Sequence, residues 1–162
     1  MRGGFVPLFI LMKHIIVYTD GACKGNPGPG GWAAILNFNN TQKILSGGEH
    51  LTTNNRMELM GAIEGLAALK QRCIVDLYTD SKYVKDGCEQ WMHTWVKNAW
   101  KTSTGLPVRN QDLWTRLYEL YNQHKVNLFW IKGHSGDPLN EQADLVANQA
   151  ITTLLNRRVN NE

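Results

Sequence analysis

Cysteine is scarce in this 162-residue chain: Cys23, Cys73 and Cys88 are an odd number and show no CxxC spacing. That argues against a disulfide framework and a thiolate zinc site, and points to a reducing, cytoplasmic compartment. Long apolar runs are missing too. Phe5 to Met12 follows Arg2 but is short, contains Pro7 and leaves no room for a small-residue cleavage site before the first strand. It reads as a disordered N-terminal extension, residues 1–12, upstream of an internal start, rather than a signal sequence. No other segment could span a bilayer, so no membrane partner is expected. Neither sign of charge dominates: 17 Lys and Arg against 14 Asp and Glu leave +3, which permits an anionic partner without requiring one. Internal repeats, linkers and low-complexity tracts are absent, and 43% hydrophobic content argues against disorder. One domain over residues 13–155 is expected, with a polar tail over 156–162 that frays.

What is present begins with His14 to Asp20, an apolar, β-branched run that stops at a carboxylate and Gly21 and reads as a central strand with Asp20 at its rim. Ile74 to Ser81 repeats the ending Tyr-Thr-Asp and delivers Asp80. Between them Leu59, Ile63 and Leu66 fall at i, i+4 and i+7, a helix over about Met57 to Lys70. A helical crossover makes the two strands parallel and brings Asp20 and Asp80 side by side. The loop Gly21 to Gly31 lacks GxxxxGK[ST] and precedes a strand, Trp32 to Phe38, so it reads as a turn rather than a nucleotide cradle. Asn39-Asn40 reads as a hairpin turn into a third strand over Gln42 to about His50.

Beyond Asp80, a short helix begun by Asp80-Ser81 should break at Gly87, and a second carries Trp91 and Trp95. The stretch to Arg109 interleaves Trp100 with Lys97 and Lys101. This suits a sugar-phosphate strand, although each tryptophan could equally be core. Asn110 is expected to cap a helix carrying Leu113, Leu117 and Leu120. Val126 to Lys132 reads as a fifth strand, and Asn140 opens a last helix with Ala143, Ala147, Ala150 and Leu154 on one face and Asp144 beside them.

Four acids converge on one end of this sheet: Asp20, Glu58, Asp80 and Asp144. Like charges this close repel unless a cation joins them. Hard oxygen donors without cysteine or paired histidine favour Mg²⁺ or Mn²⁺ over zinc. Glu58 has a second reading, because Asn55 three residues before it has the spacing of a capping box.

Four motifs carry a resemblance: TDGACKGNPGPGGW over 19–32, TTNNRMEL over 52–59, YTDSKYV over 78–84, and WIKGHSG over 130–136 with Asn140, Glu141 and Asp144. Together they resemble type 1 ribonuclease H, in its bacterial form, from about His14 to Ala150. The resemblance implies an α/β fold, a five-stranded mixed sheet flanked by helices on both faces. It implies an endonuclease that cuts the RNA strand of RNA-DNA hybrids; with no long heptad or exposed apolar helix demanding a partner, no obligate protein partner and a monomer are expected. Asp20, Glu58, Asp80 and Asp144 would hold two Mg²⁺ ions, with Mn²⁺ able to substitute and Asp20 bridging the pair. One ion would activate a water and the other stabilise the departing 3′-oxygen, leaving a 5′-phosphate and a 3′-hydroxyl. His134 would carry a proton to or from the reacting centre.

By the same resemblance Asn26, Asn54 and Asn55 contact the hybrid, with Cys23 nearby, and Thr53 and Asn110 face a DNA phosphate. Trp91, Trp95, Lys97, Trp100 and Lys101 match the family's basic protrusion. Amide side chains suit 2′-hydroxyls displayed across a wide minor groove. The match departs from the family at Thr102 to Leu106, which is uncharged where better-known bacterial members tend to carry lysines, and this implies a weaker salt dependence of binding. A DNA nuclease or strand-transfer enzyme of the same fold and a non-catalytic hybrid-binding module are the competing readings. Cleavage of hybrid but not duplex DNA separates the first, and loss of cutting with retained binding the second.

Overall fold

The computed structural model describes residues 12–160, with side chains described to Arg157; the expected N-terminal extension lies, but for Met12, outside the described residues. Five strands, β1 (His14–Cys23), β2 (Gly28–Phe38), β3 (Thr41–Thr52), β4 (Ile74–Thr79) and β5 (Lys125–Trp130), form one sheet in the order β3-β2-β1-β4-β5. β2 runs antiparallel to both β1 and β3, whereas β4 runs parallel to β1 and β5. Helix α1 (Asn54–Ala67) is the crossover between the antiparallel half and β4. After β4 come α2 (Lys82–Asp86), a π-helical turn (Gly87–Trp91), α3 (Met92–Lys97), α4 (Gln111–Gln123) and, beyond β5, α5 (Pro138–Asn160).

Strand alternation sorts the core into two layers. Val17, Ala34, Leu36, Val75 and Leu77 share one buried cluster with Leu59, Ile63 and Leu66 of α1 and Leu113, Trp114 and Leu117 of α4. Tyr18 and Ile35 point the other way, against Ala143 and Leu139 of α5. The expected five-stranded mixed sheet with helices on both faces is therefore the fold observed. Asn39 and Asn40 sit at φ 46° and 63°, the left-handed pair that a two-residue hairpin requires.

Several local expectations change. β1 does not stop at Asp20 but continues to Cys23, because β2 keeps pairing with it after β4 has ended: Asp20 lies opposite Ala33. Gly87 does not break a helix. Its backbone is right-handed helical, and the chain passes through the π-helical turn into α3. A Cβ at Gly87 would run into the indole of Trp114, so glycine is there for packing room. The cap of α1 is Thr53, whose Oγ1 accepts from Arg56 N at 3.3 Å, so Asn55 and Glu58 form no capping box. Asn110 precedes α4 at φ 60° without a side-chain capping bond. α5 opens at Pro138, where Asp137 Oδ1 accepts from the backbone N–H groups of Leu139 and Asn140 at 3.1 Å each. The polar segment from Asn156, expected to fray, continues this helix to Asn160.

Candidate active site

The parallel pairing of β1 and β4 ends at Tyr18 opposite Tyr78. Two residues further on each chain stand Asp20 and Asp80, so the register itself makes the carboxylates neighbours. Glu58 arrives from α1 because α1 lies directly on β1 at Gly21, where a Cβ would collide with the backbone of Met57 and Glu58. One carboxylate oxygen from each of Asp20, Glu58 and Asp80 lies within 4.8 Å of the others. Asp144 stands outside this group; its Oδ1 accepts from Asn148 Nδ2 at 3.3 Å, yet its charge still reaches Asp20.

Burial makes this arrangement costly. Asp20 is 3% exposed and Glu58 5%. Burial first, and the Asp80 charge second, push the Asp20 carboxyl up to about 8, although Gly21 N donates to its Oδ1 at 2.9 Å. Burial and then the Asp20 charge raise Glu58 well above the ordinary carboxylate range. Glu58 Oε2 is fully buried with no hydrogen-bond partner among the described residues. A buried carboxylate oxygen facing two other carboxylates is what a hard cation would satisfy, so the donor set fits a divalent metal.

The expected substrate residues fall into two groups on this rim. Asn26 Oδ1 accepts from Asn54 N at 2.8 Å, drawing the β1-β2 turn onto the start of α1, with Asn55 exposed beside it. Cys23 Sγ turns inward, to Gly28 O and Thr52 O at 3.5 and 3.4 Å. Further along, Asn55, Tyr83, Trp91, Trp95, Thr102, Ser103, Val108 and Arg109 line a groove of 530 Å³. Trp95 and Trp100 pack on the main core, so the tryptophans are both core and groove wall, while Lys97 and Lys101 are exposed. His134 is exposed on its loop at φ 55°, and its ring makes no hydrogen bond among the described residues.

Comparison with known proteins agrees with this geometry. The family profile described as RNase H matches residues 12–152. The chain belongs to the ribonuclease H family. It is 59% identical over 140 residues to the ribonuclease H of Rhizobium etli, covering 86% of this chain and 93% of that one. It is 57% identical over 144 residues to the ribonuclease H of Hahella chejuensis, covering 89% and 97%. Among solved structures, the crystal structure of LC9-RNase H1, a type 1 RNase H with the type 2 active-site motif, aligns with a TM-score of 0.81 at 30% identity, covering 93% of this chain and 75% of that chain. As a ribonuclease H the chain is a hydrolase that cleaves the RNA strand of RNA-DNA hybrids.

The site of this ribonuclease H has supports that the sequence did not reveal. Asn140 is 3% exposed and its Nδ2 donates to Asp80 Oδ2 at 3.4 Å. Its spacing of four from Asp144 on one helix was the available signal, hidden by its apparent role as a cap. Trp130 Nε1 donates to the Asp80 carbonyl at 3.1 Å, tying β5 to the carboxylate's own backbone. Arg56 grips Asp112 with two parallel bonds of 3.0 and 2.7 Å and donates to Asn110 Oδ1 at 3.2 Å. Arg56 and Glu58, two residues apart in the opening stretch of α1, thus connect the corner where α4 begins to the acidic site.

Proposed function

We propose that Asp20, Glu58, Asp80 and Asp144 hold two divalent cations, Mg²⁺ with Mn²⁺ as a substitute. The enzyme then hydrolyses the hybrid's RNA strand internally, leaving 5′-phosphate and 3′-hydroxyl ends. The observation that carries this reading is the trio of carboxylates within 4.8 Å, two of them buried and raised in proton affinity. When bound, such ions supply a water acidic enough to attack at neutral pH and stabilise the charge on the leaving oxygen. The protein's own residues prepare the place. Gly21 N fixes the Asp20 carboxylate, Asn140 and Trp130 fix Asp80, and the absence of a Cβ at Gly21 holds Glu58 close.

His134, exposed on a loop with two left-handed residues, exchanges a proton between solvent and the reacting phosphate in this reading. Asn26, Asn54 and Asn55 hold the hybrid's minor groove, with Cys23 fixing the turn that carries Asn26, and Thr53 faces a DNA phosphate together with Asn110. Trp91, Trp95, Trp100, Lys97, Lys101 and Asn110 hold the DNA strand in and around the 530 Å³ groove. Among the described residues no helix is long and apolar enough to cross a membrane. The three unpaired cysteines fit work in the cytoplasm, and the enzyme acts there as a monomer.

The test is an end-labelled RNA-DNA hybrid beside single-stranded RNA, duplex RNA and duplex DNA, with Mg²⁺ or chelator and with Asp80→Asn as control. Internal cuts confined to the hybrid's RNA strand, dependent on Mg²⁺ and lost in the variant, are expected. An intact hybrid that is still bound would make the protein a binding module on a nuclease fold.

A further inference from the structure

We infer that the Tyr83 hydroxyl is a hydrogen-bond donor directed into the groove between α1 and the tryptophan-bearing arm, where it holds a phosphodiester oxygen of the nucleic-acid strand lying there. This rests on the hybrid-binding reading and adds one atom to it.

The donors and acceptors around the hydroxyl leave its proton free. A guanidinium has only donors, so the Asn110 atom 3.2 Å from Arg56 Nη1 is its carbonyl oxygen. That fixes the amide: the group 3.0 Å from the Tyr83 hydroxyl is Nδ2, which can only donate. Trp114 Nε1, also donor only, reaches the same oxygen at 2.9 Å. A phenol oxygen has two accepting directions and one proton. Both accepting directions are filled by groups that cannot receive the proton in return. No other acceptor lies within hydrogen-bond distance of this hydroxyl among the described residues.

The open side of Tyr83 is the groove, which it lines with Asn55, Trp91, Trp95, Ser103 and Arg109. Two bonds accepted by the hydroxyl polarise it and strengthen the one it donates. The ligand must therefore bring an acceptor. With the Arg109 cation and aromatic walls beside it, a phosphodiester oxygen flanked by sugars fits. Arg56 is then a positioning residue: bound to Asp112, it keeps the Asn110 carbonyl away from Tyr83 and so leaves the phenol proton for the groove.

The test measures the dissociation constant of a labelled RNA-DNA hybrid in chelator for wild type, Tyr83→Phe, Arg56→Met and the double variant. Tyr83→Phe should weaken binding roughly tenfold, as loss of a bond to a charged acceptor does. Its log-log salt slope should match wild type, because no cation is removed. Arg56→Met frees the Asn110 amide to turn its oxygen toward the phenol proton, so it should lose a similar factor. The double variant should be no weaker than either single one. Tyr83→Phe strands two donors and lowers the melting temperature; Arg56→Met keeps the hydroxyl and carries the test if Tyr83→Phe does not fold. Wild-type affinity in a folded Tyr83→Phe, or additive losses in the double variant, would overturn the assignment. Failure of the wild-type protein to bind hybrid would overturn the underlying reading as well.

Discussion

Replacing Asp20 with asparagine should abolish cleavage and yet stabilise the metal-free protein. The Asp20 carboxyl is pushed up to about 8 in the fold, against about 3.9 for an unperturbed aspartate. Between those values the folded chain binds a proton that the unfolded chain does not, so stability falls as pH rises from about 4 to about 8. Each pH unit of that window is worth about 1.4 kcal/mol, which sets an upper limit of about 4 kcal/mol at pH 7. Glu58 shares the same repulsion and remains buried in the variant, so a gain of about half that limit, about 2 kcal/mol, is expected. Asparagine keeps an oxygen for the Gly21 N–H and carries no charge. For a chain of this length, about 2 kcal/mol corresponds to a melting temperature higher by about 4–8 °C at pH 7–8. At pH 4 to 4.5, where the wild-type Asp20 carboxyl is already protonated, the gain should nearly vanish. Thermal unfolding in chelator at both pH values checks this. A variant that melts lower at pH 8, or gains equally at both, would refute the repulsion argument.

Gly21→Ala should cost about 2 kcal/mol or more and most of the activity, because its Cβ forces α1 and Glu58 off β1; a wild-type urea midpoint would contradict this. His124 is buried, and burial lowers its proton affinity while its Nδ1 accepts from Cys73 N at 3.1 Å. The unfolded chain therefore takes up a proton as pH falls below about 6.5 and the folded chain resists, so wild-type stability should fall from pH 7 to 5 more than that of His124→Asn in paired urea titrations. The arm's exposed cations, Lys97, Lys101 and Arg109, contribute at most about 3 to the log-log salt slope of hybrid binding, and Ser103→Lys should steepen it by about 1. An unchanged slope in that variant would place residue 103 away from the phosphates.

The strands are legible because their apolar runs are short, β-branched and closed by turn formers, and the repeated Tyr-Thr-Asp ending itself sets the two carboxylates side by side. The crossover helix followed from Leu59, Ile63 and Leu66, all fully buried in the structure. Local end chemistry was less legible. Thr53, Asn54 and Asn55 are all cap formers, and only tertiary packing decides which one faces the helix end. Asn110 and Asn140 look like caps for the same reason, while the Asn110 amide bonds Arg56 and Tyr83 and the Asn140 amide bonds Asp80. Gly87 was misread because room for the indole of Trp114, twenty-seven positions away in sequence, leaves no local trace. The Arg56 network escaped for a similar reason: a fork bonded to Asp112 looks in sequence like any solvated charge.

The crossover has a consequence for when the enzyme can act. β1 and β4 are neighbours in the sheet, yet α1 and two antiparallel strands separate them in the chain. Asp20 and Asp80 therefore do not meet in any hairpin or local helix pair, and Glu58 joins them only when α1 has settled on Gly21. A chain in which this crossover has not closed carries the Gly-Pro turn, the tryptophans and the cations without possessing a cutting centre. Hydrolytic competence is a property of the completed tertiary structure, and turnover of a hybrid reports global folding more stringently than binding does.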